Sequence, residues 1–377
     1  MFFLKSILTS KMLVLSCFLM VNIQETQGQI ANISMALHSE DQARTEMTPE
    51  IIGIDLVRMI DFNQLDSIDF GNVKRLTIGI DLPSLDFLTR FSGLQKLLFY
   101  SSKLELLDFS LIPKSLCQLT IFDEPRKIEN IHLLATLPNL QFLSLNGKWN
   151  SLKIEEISNP NVNTLWLTEV TADDLNLNRF QSLKQLRFCG MNLSGYKFTG
   201  IKELESLAII SCKNVGVNQL KELHLLKFLE LSDVREKLNL EFISELKNLE
   251  EFSGYSLSLV KEKQVTSKTL KSFYLQKCKI KILNFGACPK LLELNVKNNR
   301  LVSIIGLESL AQNLTHFFFC ENKNLDIPVN PGEFSSLKFA SESDILKFSE
   351  FQISQGLKLV SCGKRPEFYL RNARFLP

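Results

Sequence analysis

The chain has 377 residues, of which 45% are hydrophobic, and its 43 basic and 41 acidic residues leave a formal net charge of +2. A balance this close to zero excludes bulk electrostatic attraction to nucleic acid or to an anionic membrane surface. The length would ordinarily suggest two or three globular domains, unless the chain is built from something that repeats.

The first predicted element is "MFFLKSILTSKMLVLSCFLMVNIQETQGQ", in which Lys5 and Lys11 precede an apolar run from Met12 to Ile23, with the small residues Thr26 and Gly28 behind it. That is the layout of a secretory signal peptide, and its apolar run falls short of the ~20 residues that a membrane-spanning helix needs. Residues 1–28 are therefore expected to be cleaved near Gly28, and residues 29–50 to form an N-terminal cap. No second apolar run of spanning length follows, and the last residues, "RNARFLP", match neither a lipid-anchor tail nor a prenylation box. The expectation is export without membrane insertion.

From Ile51 onward the chain becomes periodic. An apolar residue opens each copy at Ile51, Val73, Leu94, Leu116, Leu140, Val162, Leu183, Leu204, Leu226, Leu249, Leu270, Leu291 and Leu314, with steps of 21 to 24 residues. A second apolar column stands three residues after each start, running from Ile54 through Leu207 to Phe317. A third stands two further on, broken only by Gly254. Offsets of three then two fit neither a strand with period two nor a helix near 3.6, so the periodicity belongs to a longer unit.

In "LLELNVKNNRLVSI" (291–304), "LKSFYLQKCKI" (270–280) and "LLATLPNLQFLSLNG" (133–147) the pattern resembles the leucine-rich repeat signature L-x-x-L-x-L-x-x-N/C-x-L. The polar position is kept by Asn299, Asn322, Cys212 and Cys278, but not by Met191 or Val170. The resemblance implies an α/β repeat solenoid. It would be a leucine-rich repeat horseshoe with a parallel β-sheet on its concave face and short helical, 3-10 or irregular segments on the convex face. About 13 repeats are expected over 51–335 as one repeat domain, followed by a C-terminal cap over 336–377. Each coil cannot bury its apolar face alone, so stacking supplies the core.

After removal of Cys17, seven cysteines remain, at 117, 189, 212, 278, 288, 320 and 362. An odd number cannot all pair within one chain, so most are expected to be buried thiols, and a pairing of Cys320 with Cys362 is left open. The four histidines, His38, His132, His224 and His316, are spread over different stretches, and no C-x-x-C spacing, G-x-S-x-G elbow or phosphate loop occurs. No cofactor, metal or catalytic centre is therefore expected, and ordinary surface or rim positions are expected for the histidines. The basic group Lys364, Arg365, Arg371 and Arg374 reads as a solvated cap.

What remains is the inner sheet surface. Strand alternation exposes the residues flanking the second column, which include Trp166, Arg187, Glu230, Tyr274 and Phe318, with Tyr100, Phe142, Phe228 and Tyr255 close by. Trp166, Tyr274 and Phe318 are expected to point to solvent. Aromatic and arginine side chains dominate interaction hot spots, although a chain with 28 Phe also places some on surfaces that bind nothing. Three N-x-S/T sites, at Asn32, Asn192 and Asn313, are candidate glycan acceptors in an exported chain.

The function expected is that of a secreted, internalin-like, non-enzymatic protein binding another protein through the concave face, with Trp166, Arg187, Glu230, Tyr255 and Tyr274 at the centre. The alternative is an intracellular scaffold resembling the short-repeat regulators of protein phosphatases. A third reading, an active site within 336–377, has little to stand on, because that tail contains no His.

Overall fold

The computed structural model describes residues 53–56, 70–79, 85–100, 105–122, 127–147, 157–170, 176–194, 196–260, 264–327, 333–341 and 357–360. The expected signal peptide and N-terminal cap, Asn32, Cys362 and the basic group from Lys364 to Arg374 lie outside them. The described residues fall into two compact units, one ending at Asn130 and one beginning at Ile131.

In the first unit four strands lie parallel: β1 (Gly53–Leu56), β2 (Arg75–Ile78), β3 (Lys96–Phe99) and β4 (Gln118–Phe122). Their register sets Ile54 beside Leu76, Leu76 beside Leu97, and Leu97 beside Leu119, so one residue of the second apolar column meets the next.

The second unit continues the pattern with β5 (Phe142–Asn146), β6 (Thr164–Thr168), β7 (Gln185–Cys189), β8 (Ser206–Ile210), β9 (Phe228–Ser232) and β10 (Glu251–Tyr255). Beyond them come β11 (Ser272–Gln276), β12 (Glu293–Asn295), β13 (His316–Phe318), β14 (Phe339–Ser341) and β15 (Lys358–Val360). All are parallel, and the column Leu143, Leu165, Leu186, Leu207, Leu229, Phe252, Phe273, Leu294 and Phe317 is in register from strand to strand. Strands β14 and β15 carry the ladder on through Ala340 and Leu359, within the range expected to act as a cap.

Every described member of the three columns in the second unit is buried, and all but Gly254 carry an apolar side chain; burying a Leu or Phe side chain contributes about 1.5–3 kcal/mol. The exception has a steric reason. A Cβ on Gly254 would stand 2.7 Å from Leu275 Cδ1 of the next coil and 2.9 Å from Leu257 Cδ1 of its own, so the space is already filled.

The returning segments are short 3-10 turns, such as Asp86–Arg90, Ile131–Thr136, Val217–Glu222 and Leu240–Glu245, and one five-residue helix, α1 (Leu307–Ala311). Short parallel ladders also form on that side, pairing Leu106–Asp108 with Lys127–Glu129 and running from Gln264–Val265 through Ile282–Phe285 to Ser303–Ile305. The residue periods do not reveal these, because two to four residues of strand leave too little alternation to read.

A second column appears where the chain leaves each strand. Gly147, Glu169, Gly190, Ser211, Asp233, Ser256, Lys277, Asn298 and Glu321 all stand seven residues after a coil start, and all have φ between 50° and 105°. The turn points the backbone N–H at the next coil: Glu169 donates to the Cys189 carbonyl at 2.8 Å, Ser211 to Ser232 at 2.8 Å and Asn298 to Cys320 at 2.9 Å. The residue after this turn is the repeat's Asn/Cys position. There Asn322 Nδ2 donates to the carbonyls of Val296 at 2.9 Å and Phe319 at 2.8 Å, and its Oδ1 accepts the Leu301 N–H at 3.0 Å. Backbone groups that stacking would leave orphaned are thereby satisfied.

Candidate functional site

Because β-strand side chains alternate, the residues between the buried columns lie on the opposite, open face of the sheet. Strands in a sheet sit about 4.8 Å apart, so each side chain on that face rests against its counterpart one coil away.

In the first unit Tyr100, 39% exposed, stacks on Phe122 with ring centroids 4.5 Å apart. The remaining candidates lie on the second unit, where they form three groups.

The first group spans β5 to β9. Phe142 meets Trp166 edge to face at 5.1 Å, and the Arg187 guanidinium lies 5.2 Å from the centroid of the Trp166 ring. Next in register come Ala208, which is buried, and then Glu230. Burial pushes the Glu230 carboxyl above its usual range, and the positive charge of Arg187 partly offsets that. Two polar atoms in this group are buried without a hydrogen-bond partner among the described residues, Trp166 Nε1 and Ser206 Oγ. The Arg187 guanidinium makes no hydrogen bond or ion pair with a described residue.

The second group spans β11 to β14. Tyr274 Oη and Ser272 Oγ both donate to Glu293 Oε2, the latter at 3.2 Å, while His316 Nδ1 stands 3.9 Å from Glu293 Oε1. The His316 ring stacks on Phe339 at 4.5 Å and lies 6.5 Å from Phe318. Burial first, and the facing Glu293 charge second, push the Tyr274 hydroxyl well above the ordinary phenol range. The third group is smaller: Tyr255, 36% exposed, carries the Lys277 ammonium 5.0 Å from its ring centroid.

Along the rim where the strands begin, Lys184, Glu205, Lys227, Glu250 and Lys271 occupy successive coils with alternating sign. Lys227 donates to Glu205 at 2.7 Å and Lys271 pairs with Glu250 at 2.9 Å. The Lys227 hydrogen bond is the main reason the Glu205 carboxyl titrates below its usual range.

The expectation that Trp166 and Phe318 point to solvent is corrected. They are 5% and 6% exposed, and Phe142 is buried as well, while Arg187, Phe228, Glu230 and Tyr274 are half-buried. Alternation places these residues on the open face, but Phe142 and Trp166 cover one another edge to face and the Arg187 guanidinium lies over the Trp166 ring. His316 is likewise largely buried rather than a surface residue, whereas His132 and His224 are exposed. Ser206, Ser272, Glu293 and His316 were missed because they stand one residue before the apolar column, where Ser and Glu carry no signal of their own.

Asn192 and Asn313 are both exposed. Cys212, Cys278 and Cys288 are buried thiols, with Cys212 pushed up to about 11 and Cys278 to about 12 by desolvation. Cys320 is in a disulfide whose partner lies outside the described residues. Among the described residues no helix is long and apolar enough to cross a membrane.

No sequence-family description matches the chain, and no curated protein does. Among solved structures, an internalin from Listeria monocytogenes str. 4b F2365 is similar with a TM-score of 0.50 at 15% identity, covering 80% of this chain and 88% of the internalin. A leucine-rich repeat protein of Leptospira interrogans aligns with a TM-score of 0.46 at 16% identity, covering 83% of this chain and 90% of its own. With its in-register parallel strands, its Asn/Cys turn ladder and the likeness to the internalin, the chain has the leucine-rich repeat fold.

Proposed function

We propose that this chain is a secreted, non-enzymatic interaction protein that holds a protein partner on the open, concave face of its sheet, with Trp166, Arg187, Glu230, Tyr255 and Tyr274 at the centre. The observation that carries the reading is the first group on that face, where buried donors and a half-buried carboxylate await partners while aromatic rings supply contact area. The internalin likeness supports a scaffold of this kind, although fold alone does not fix function.

Export is supported by the signal-peptide layout of residues 1–28 and by the disulfide at Cys320, since such bonds persist in oxidising compartments. The intracellular scaffold draws support from the buried thiols Cys212, Cys278 and Cys288. A mature chain starting near Gln29 in the medium of the native host decides for export, and an intact Met1 inside cells decides against it.

The binding half is tested by a variant with Arg187, Glu230 and Tyr255 each replaced by alanine, and with folding checked by circular dichroism. It is expected to lose the protein that the wild-type chain co-purifies from its host. Retention of that protein overturns the reading.

A further inference from the structure

Three features of the first group bear on what its partner looks like. The donors Trp166 Nε1 and the Arg187 guanidinium stand on adjacent strands in one register column, and none of them is hydrogen-bonded to a described residue. Glu230 stands in the same column two strands further on, and no hydrogen bond from a described residue reaches its carboxylate. Between the two charges lies only the methyl group of Ala208, and beside it, one position earlier on the same face, the Ser206 hydroxyl, 3% exposed and without a partner. The patch is therefore split into a donor end and an acceptor end with a small residue between them.

We propose that Trp166, Arg187, Ser206 and Glu230 form a dipolar docking site for a protein partner that presents a carboxylate and a cationic side chain about 10 Å apart, two strand spacings. The carboxylate seats on the half-buried Arg187 guanidinium and the cation on the half-buried Glu230, and drawing the Arg187 side chain off the Trp166 ring opens the covered Trp166 Nε1 and Ser206 hydroxyl to the same partner. This rests on the reading of the open face as the partner surface, and adds what that surface selects for.

Desolvation sets this preference. A partner that covers Arg187 and Glu230 strips water from both, and neither has a hydrogen bond from a described residue to fall back on. A partner that returns an opposite charge to each end recovers the loss, while under a neutral surface Arg187 and Glu230 offset one another only in part across Ala208. A surface of one sign repels at one end. The nearby rim charges do not alter this, because Glu205 is held by Lys227 and Glu250 by Lys271.

The test uses the full chain against immobilised 12-residue peptides of four kinds: one Asp and one Lys three positions apart, two Asp at that spacing, two Lys at that spacing, and an uncharged control. In an extended peptide three residues span about 10 Å. Wild type is expected to be retained at least tenfold more on the mixed peptides than on either single-sign set. Arg187→Glu should shift preference to the two-Lys peptides, and Glu230→Arg to the two-Asp peptides. The charge-removing Arg187→Gln and the isosteric Glu230→Gln should each lose the mixed preference, and they guard against a reversal that fails to fold.

Equal retention of mixed and single-sign peptides, a ranking unchanged by the reversals, or no retention above the uncharged control overturns the dipolar site. If Tyr255→Ala and Tyr274→Ala still weaken retention in the first two cases, the open face stands as a binding surface and only the dipolar reading falls. Indifference to all of these positions removes both.

Discussion

Asn299 Oδ1 accepts the backbone N–H of Cys278, one coil earlier, at 2.8 Å, while its Nδ2 donates to the carbonyls of Leu275 at 2.7 Å and Val296 at 2.9 Å. One buried side chain thus satisfies backbone groups on two coils. Asn299→Ala leaves those groups orphaned and is expected to cost about 2–4 kcal/mol, read from the urea midpoint. Asn299→Cys should cost less, because Cys278 shows what a thiol can do there. Its Sγ donates to the Gln276 carbonyl at 3.2 Å and accepts the Leu257 N–H at 3.4 Å. Equal losses for Ala and Cys would mean that side-chain volume, not hydrogen bonding, sets the cost.

The left-handed turn column gives a second expectation. Glu169, Ser211 and Glu321 are exposed residues with φ of 57°, 53° and 62°. Non-glycine side chains are disfavoured there, so each change to glycine is expected to raise stability by about 0.5–1 kcal/mol despite the added freedom of the unfolded chain. The same change at Lys247, outside the column, should lower stability or leave it unchanged. Urea unfolding of the four single variants checks the contrast.

That column also marks where the sequence stops being legible. The buried columns could be read because apolar side chains at +3 and +5 recur in nearly every coil, and the register later joins Leu207 to Leu229 and Phe252 to Phe273. The turn at +7 could not, since only Gly147, Gly190, Asp233 and Asn298 are types that favour positive φ. At Glu169 the hydrogen bond to the Cys189 carbonyl overrides local preference. The open face was legible in membership but not in exposure. Whether Trp166 is wet or covered depends on Phe142 and Arg187 in the flanking coils, 24 and 21 residues away in the sequence.

Glu230 ties stability to pH in an uncommon direction. Burial raises its folded pKa above the unfolded value, so the folded state binds this proton more tightly. Its penalty is absent below the unfolded carboxylate range, grows as pH rises from the unfolded towards the folded pKa, and is complete above the folded one. Glu230→Gln should therefore be more stable than wild type at pH 7, with the gain shrinking as pH falls to about 4. A gain independent of pH would contradict the assignment.

Thiol chemistry offers a fourth check. Cys212, Cys278 and Cys288 are buried with raised thiol pKa, so iodoacetamide at pH 8 should label Cys117 and Cys189 far faster in the folded protein. All five should react in urea, and Cys320 only after reduction. Mass spectrometry of the peptides identifies the partner of Cys320, for which Cys362 is the expected residue. Labelling of Cys320 without a reductant would rule out the disulfide.

Partner contact is expected on the open face and not on the turn side. A photo-reactive phenylalanine analogue placed at Tyr255, on that face, and separately at Lys247, exposed beyond the 3-10 turn Leu240–Glu245 on the other side, can be irradiated in the native host. The predicted result is a covalent adduct with a host protein from position 255 and none from position 247. Adducts from 247 alone, or equally from both positions, would contradict it.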